Sequence, residues 1–179
     1  MLNSSGKILA DCFVYSFPDK NDVLLLDVDA NLCSKIVALL KRYKIRRNIN
    51  ICSNQNYEVY AIFPKDHNIQ LTNEQFQYSS EDVILVQDPR NQNFGYRMLR
   101  KREEDLLEKE QIVELFSKHN HNLNASFNCV STNEYEMFRY QTGFGEGSKD
   151  FIPETIFPFE ANAELLNGIS FHKGTLNKI

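Results

Sequence analysis

Leu32, Ile36, Leu39, Leu40 and Tyr43 recur at the offsets of one helix face, directly after Asp29-Ala30-Asn31, where an Asx side chain can cap. On either side the pattern changes to apolar, β-branched and aromatic runs: residues 8–17 and 23–28 before the helix, 49–53 and 57–63 after it. Pro18-Asp19-Lys20-Asn21-Asp22 separates the first pair and Asn54-Gln55-Asn56 the second, both turn-forming sequences, so each pair reads as an antiparallel hairpin. In residues 57–63, Tyr57, Val59, Ala61 and Phe63 alternate with Glu58, Tyr60 and Ile62, the period of a strand. A helix set between hairpins predicts an α+β fold of mixed, largely antiparallel sheets with packed helices.

Further along, residues 83–87 and 95–99 read as two more strands across the turn Asp88-Pro89-Arg90-Asn91. From Arg100 the composition shifts to a mixed-charge helical stretch running to His119, followed by an Asn-rich polar segment, 120–128. Ser131-Thr132-Asn133-Glu134 then offers a capping box to a helix carrying Tyr135, Phe138 and Thr142, with Gly143 at its end. The organisation is therefore an α+β core over 1–100, a charged and Asn-rich helical insertion or linker over 101–130, and a helix with a closing segment over 131–179.

Charge and cysteine usage narrow the function classes. A net charge of -4 gives no global field to attract nucleic acid, and no apolar run approaches the roughly 18 residues that span a bilayer. The basic cluster over 41–47 reads as the cation-rich end of a helix or, less simply, as an RNA contact. Cys12, Cys33, Cys52 and Cys129 lack the close spacing of a local zinc or cluster loop, so they are expected to be free, mostly buried thiols and no metal ligands are assigned. Met1-Leu2-Asn3-Ser4-Ser5 carries neither a signal-peptide core nor an Arg-rich transit pattern. His119-Asn120-His121 spells a nuclease-like string without the further ligands such a site needs, and His172 reads as a surface imidazole.

Near the end of the chain, Pro158-x-Glu160-x-Asn162 sets a carboxylate and an amide beside Phe157, Phe159 and Leu165. One carboxylate can accept both the ring N–H and the exocyclic amine of a pterin edge while aromatic side chains cover the ring faces. The alternative is that Glu160 and Asn162 cap a short helix. Asn167-Gly168 is a turn signal in its own right.

The run Phe157-Pro158-Phe159-Glu160-Ala161-Asn162-Ala163-Glu164-Leu165-Leu166-Asn167-Gly168-Ile169-Ser170-Phe171-His172-Lys173-Gly174 resembles the signature segment of folate-binding proteins related to the glycine-cleavage aminomethyltransferase. Within them it is most similar to the branch of mitochondrial iron–sulfur cluster assembly factors. Tyr43-Lys44-Ile45-Arg46-Arg47, Asp88-Pro89-Arg90 and Gly95-Tyr96-Arg97 match that branch in order and spacing. Leu9-Ala10-Asp11-Cys12-Phe13-Val14-Tyr15 resembles the strand in which the transferases keep a catalytic aspartate, with Ala10 filling one of two acidic positions. Where the branch continues Lys-Gly-Cys-Tyr, this chain has Thr175, whose hydroxyl cannot serve as a thiolate nucleophile or ligand.

The resemblance implies a partial aminomethyltransferase-like folate-binding fold lacking the C-terminal β domain, shortened at both ends. It implies tetrahydrofolate as cofactor, with Glu160, Asp11, Asn162, Lys173 and Arg97 as the cofactor-binding residues and no catalytic residue. Asp11 has a structural alternative as a strand-edge residue paired with a lysine or a backbone N–H. Arg90 and Arg97 either stabilise the fold or hold a folate glutamate tail. The implied function is maturation of four-iron clusters in the mitochondrial matrix, alongside iron–sulfur scaffold and assembly proteins, without nucleic acid or membrane. The alternatives are a folate-dependent aminomethyltransferase and an inactive shortened form. Sheets missing a neighbour expose apolar surface, so marginal stability or association with a partner is expected.

Overall fold

The protein is described from a computed structural model, over residues 1–17, 20–64, 77–79, 82–102, 111, 113–114 and 128–169. The chain forms two compact units, one of Met1–Asn54 with Phe144–Ile179, the other of Gln55–Gly143. Among the described residues, all strand pairing within them is antiparallel.

In the first unit, β1 (Phe13–Phe17) pairs with β2 (Lys20–Asp27), the expected hairpin. Tyr15 and Phe17 point inward and are buried, whereas Val14 opposite Leu26, with Leu24, presents an exposed apolar face. The ladder starts at Phe13 and not at residue 8, because the backbone of Ile8 is taken elsewhere. Its N–H donates to Ile156 O at 2.9 Å and its carbonyl accepts from Glu154 N at 2.7 Å. Ile8 then packs with Phe151, Ala161 and Ile156 in one small core.

The helix follows as the apolar period requires. A 3-10 turn, Ala30–Leu32, capped by the Asp29 side chain on Asn31 N, leads into α1 (Cys33–Tyr43). Leu32 and Ile36 meet Ala10, with Val28 and Leu40 at the edge, so the inward stripe of α1 builds a second small core. Beyond Lys44 the chain enters a left-handed conformation at Ile45, φ 50°. The expected strand at 49–53 does not form. Local bonds within residues 44–49, including Arg47 N to Lys44 O and Lys44 Nζ to Ile49 O, hold this stretch, and residues 57–62 find a longer partner.

That partner lies in the second unit, a sheet of order β3-β6-β5-β4 built from β3 (Tyr57–Ile62), β4 (Gln77–Ser79), β5 (Val83–Gln87) and β6 (Tyr96–Lys101). The expected β5–β6 pair is present, with Leu85 opposite Met98, both fully buried. β4 had no signal in the sequence. Gly95 opens β6 at φ +96°, where a Cβ would overlap the Ile62 carbonyl oxygen, so only glycine fits between the strands.

α2 (Thr132–Thr142) starts at the expected capping box, Ser131 and Glu134 satisfying each other's backbone N–H, and stops at left-handed Gly143. Its Phe138 stacks on Phe63 at 4.6 Å and meets Phe94 edge-on. Of the mixed-charge stretch, Arg100 and Lys101 belong to β6 and not to a helix, because their backbone pairs with Glu58 and Tyr57, while Gln111, Val113 and Glu114 are helical. The rest, with the Asn-rich segment to residue 127 and His119-Asn120-His121, lies outside the described residues.

All four cysteines are free, as expected, but none is buried: Cys52 is exposed and the others half-buried. Each sits on irregular chain or a helix start, so the apolar preference of the thiol does not decide its depth. No described helix is long and apolar enough to cross a membrane.

Candidate functional site

The first unit gathers three carboxylates around one short turn. The helical turn Gly147–Asp150 begins at Glu146, and three successive amides there each donate to a different acid. Glu146 N donates to Asp150 Oδ2 at 2.8 Å, Gly147 N to both oxygens of Asp11 at 3.1 and 3.2 Å, and Ser148 N to Asp29 Oδ2 at 2.7 Å. Ser148 Oγ adds a 2.6 Å bond to the same Asp29 oxygen. Gly147 lies at φ +74°, and a Cβ on it would come within 3.1 Å of Asp29 Oδ2. The Ser148 hydroxyl and amide hold the Asp29 carboxyl below its ordinary pKa, since bonds to the ionised form favour it.

Asp11 lies two residues before β1 and not on a strand edge, and its carboxylate accepts from a backbone N–H, that of Gly147, 136 residues away. Its neighbour Ala10 is 1% exposed against Leu32 and Ile36, a place where a carboxylate would lose its water. Burial pushes the Cys12 thiol pKa up, Asp11 and Asp27 adding to it against the amino group of Met1.

Downstream of the turn, residues 151–168 run as linked turns. Phe151 and Ala161 anchor them on Ile8, and Lys35 pairs with Glu154 at 2.6 Å. Glu160 Oε2 accepts the Phe157 N–H at 2.6 Å, a cap on the turn that carries the motif. Glu160, Phe157 and Phe159 are exposed, the last two at 46% and 61%. Asn162 and Asn167 both adopt positive φ, at 53° and 55°, as Asn tolerates. Lys173, with His172 and Thr175, lies outside the described residues.

The arginines belong to the other unit. Arg97 is buried in the middle of β6, in register with Ala61 and Val86. Arg100, also buried, donates to Glu58 Oε2 at 3.3 Å, and Tyr60 Oη donates to the same oxygen at 2.9 Å. Burial and the bond to Glu58 push the Tyr60 pKa up. Arg90 grips Asp88 through Nε and a terminal nitrogen, at 3.0 and 2.7 Å, closing the β5–β6 loop, and reaches Tyr135 Oη at 3.3 Å.

The structure thus places Asp11, Glu160 and Asn162 in one unit and Arg97 in the other. Sequence reasoning missed Asp29 and Ser148 as partners of the Asp11 turn. Asp29 was legible as a local cap, but nothing in the sequence announces a bond across 119 residues. Among the described residues, no group of three or more His, Cys, Asp or Glu side chains is placed to hold a metal ion.

No family model matches the chain. Curated proteins do. The chain is 30% identical over 155 residues to the mitochondrial "Iron-sulfur cluster assembly factor IBA57 homolog" of Dictyostelium discoideum, covering 86% of this chain and 35% of that protein. To the mitochondrial iron–sulfur cluster assembly factor IBA57 of Mus musculus and of Homo sapiens it is 27% identical over 177 and 176 residues, in both cases 97% of this chain and 45% of the relative. The chain spans between a third and a half of the length of these relatives. Along nearly its whole length the chain is thus similar to proteins from animals and an amoeba that share one name, that of mitochondrial iron–sulfur cluster assembly factors.

Proposed function

We propose that this chain serves iron–sulfur cluster assembly in the mitochondrion as a folate-binding factor that carries out no group transfer itself. The observation that carries the assembly role is the similarity along 97% of the chain to the mouse and human factors. Maturation of four-iron clusters in the matrix, together with scaffold and assembly proteins, is the form of that role we favour. The folate part is supported by the Glu160 turn, an exposed carboxylate flanked by the exposed rings of Phe157 and Phe159, with Asn162 close in sequence. A pterin edge would compete with the Phe157 N–H for Oε2, or use Oε1 beside it. Ala10 supports the absence of transferase chemistry: the second acid of the transferase pattern is replaced by a core residue.

Tetrahydrofolate binding by calorimetry, on the chain and on Glu160→Ala, tests the folate part. We expect binding by the chain and a loss of roughly tenfold or more in the variant, the size of one hydrogen bond to a charged group. Absence of binding by the folded chain overturns it. Restoration of four-iron enzyme activities in eukaryotic cells depleted of the relative tests the assembly role separately.

A further inference from the structure

Three acids meet three consecutive amides at residues 146–148, and two of those acids, Asp11 and Asp29, come from chain far removed in sequence. Asp11 and Asp29 each accept from a different amide of the same turn, Gly147 N and Ser148 N. Asp29 is the more firmly held: it accepts from Ser148 N and Oγ, and its other oxygen accepts from Asn31 N at 2.8 Å. The longer, shared bond from Gly147 N to the two oxygens of Asp11 depends on where that amide points. The amide is fixed by Ser148 on one side and by the left-handed φ of Gly147 itself.

We propose that Asp29, acting through Ser148 and Gly147, is the positioning residue for the Asp11 carboxylate. Asp29 ties the start of α1 to the turn; the turn in turn presents the Gly147 N–H to Asp11. Other titratable groups bear on the same turn, namely Asp150 through Glu146 N, Glu146 itself, and Cys12, which follows Asp11 in sequence and is faced by Asp27 and the amino group of Met1. The functional consequence rests on the folate reading of Asp11: an acid oriented by two distant residues would present a fixed oxygen to a ligand nitrogen without reorganisation on binding.

Nuclear magnetic resonance decides the positioning role without any ligand. In the unaltered chain the Gly147 amide proton shift should follow the titration of the Asp11 carboxyl. Asp29→Ala should abolish that coupling, whereas Asp29→Asn, which keeps an acceptor for Ser148, should retain it; the remaining amide spectrum reports whether each variant is folded. Gly147→Ala should displace the amide and raise the Asp11 midpoint. Persistence of the coupling in folded Asp29→Ala overturns the proposal. Tetrahydrofolate titration of the same variants then separates the two ideas. Asp11→Ala and Asp29→Ala each weakening binding roughly tenfold, with the double variant no worse, extends the role to the ligand. Unchanged binding in Asp11→Ala removes Asp11 from the folate reading and leaves the resonance result to stand or fall alone.

Discussion

The two units of this protein partner their polar side chains in opposite ways. In the unit of Gln55–Gly143, polar side chains inside the sheet meet neighbours on the same or the paired strand: Glu58 Oε2 accepts from Tyr60 on its own strand and from Arg100 on the strand paired with it. In the unit of Met1–Asn54 with Phe144–Ile179, carboxylates are matched to backbone amides more than a hundred residues away, at Asp11 with Gly147 and Asp29 with Ser148. The first arrangement is carried by a ladder that any register-keeping sequence rebuilds. The second exists only when two remote chain segments meet, and its small cores, Ile8 with Phe151 and Ala161, and Ala10 with Leu32 and Ile36, are what bring them together.

The sharpest way to break this contrast is Leu85→Ala. Leu85 is fully buried at the centre of the four-stranded sheet, and its truncation should cost about 3 kcal/mol through lost contacts and a residual cavity. Hydrogen exchange should show β3, β5 and β6 losing protection while α1 keeps its own. Equal loss in both units would mean that they unfold as one and that the contrast has no energetic content. Next in size is Glu58→Gln, which removes the charge facing buried Arg100 and should cost about 2 kcal/mol by denaturant titration, the scale of a hydrogen bond between charged partners. A neutral result would show that the sheet does not depend on this pair.

Acid should act on the other unit. Asp29 has a lowered pKa in the folded chain, so between that value and its ordinary 3.8 the unfolded chain binds more protons. Its stabilisation is complete above about pH 4 to 5 and is lost as pH falls through the folded value. Thermal unfolding of Asp29→Asn should therefore show a shallower decline on acidification than the unaltered chain; parallel curves would contradict the Ser148 clamp. The smallest expected change is a gain. Ile45 is β-branched, 79% exposed and held at φ 50°, and Ile45→Gly should stabilise the first unit by roughly 0.5 kcal/mol, the relief of left-handed strain less the added chain entropy. Destabilisation would show that the exposed side chain makes contacts that matter.

Local signals were readable and long-range ones were not. The β1–β2 hairpin, α1, the β5–β6 pair and the capped α2 each announce themselves within a window of about a dozen residues, through turn chemistry, apolar period or the Ser131–Glu134 box. The strand expected at 49–53 failed because its composition suits a strand, yet the longer register of β3 with β6 won the pairing. Strand β1 came out shorter at its start because Ile8 is bonded to residues 154 and 156 instead. At the candidate site, Glu160 was legible with both of its readings, and the cap on Phe157 N is the contact it makes. The bond between Asp29 and Ser148 had no such signal.

What the sequence by itself determined is the order of most elements, the α+β class and the resemblance to the assembly factors, because periodicity, caps and a signature segment are properties of contiguous residues. What only tertiary structure decided is which acids serve which amides, and that Ala10 is core while Asp11, one residue on, is bonded to a distant turn. Those choices depend on the approach of segments 119 and 136 residues apart, where a half-buried carboxylate needs a donor in place of water, and no local pattern encodes which one it finds.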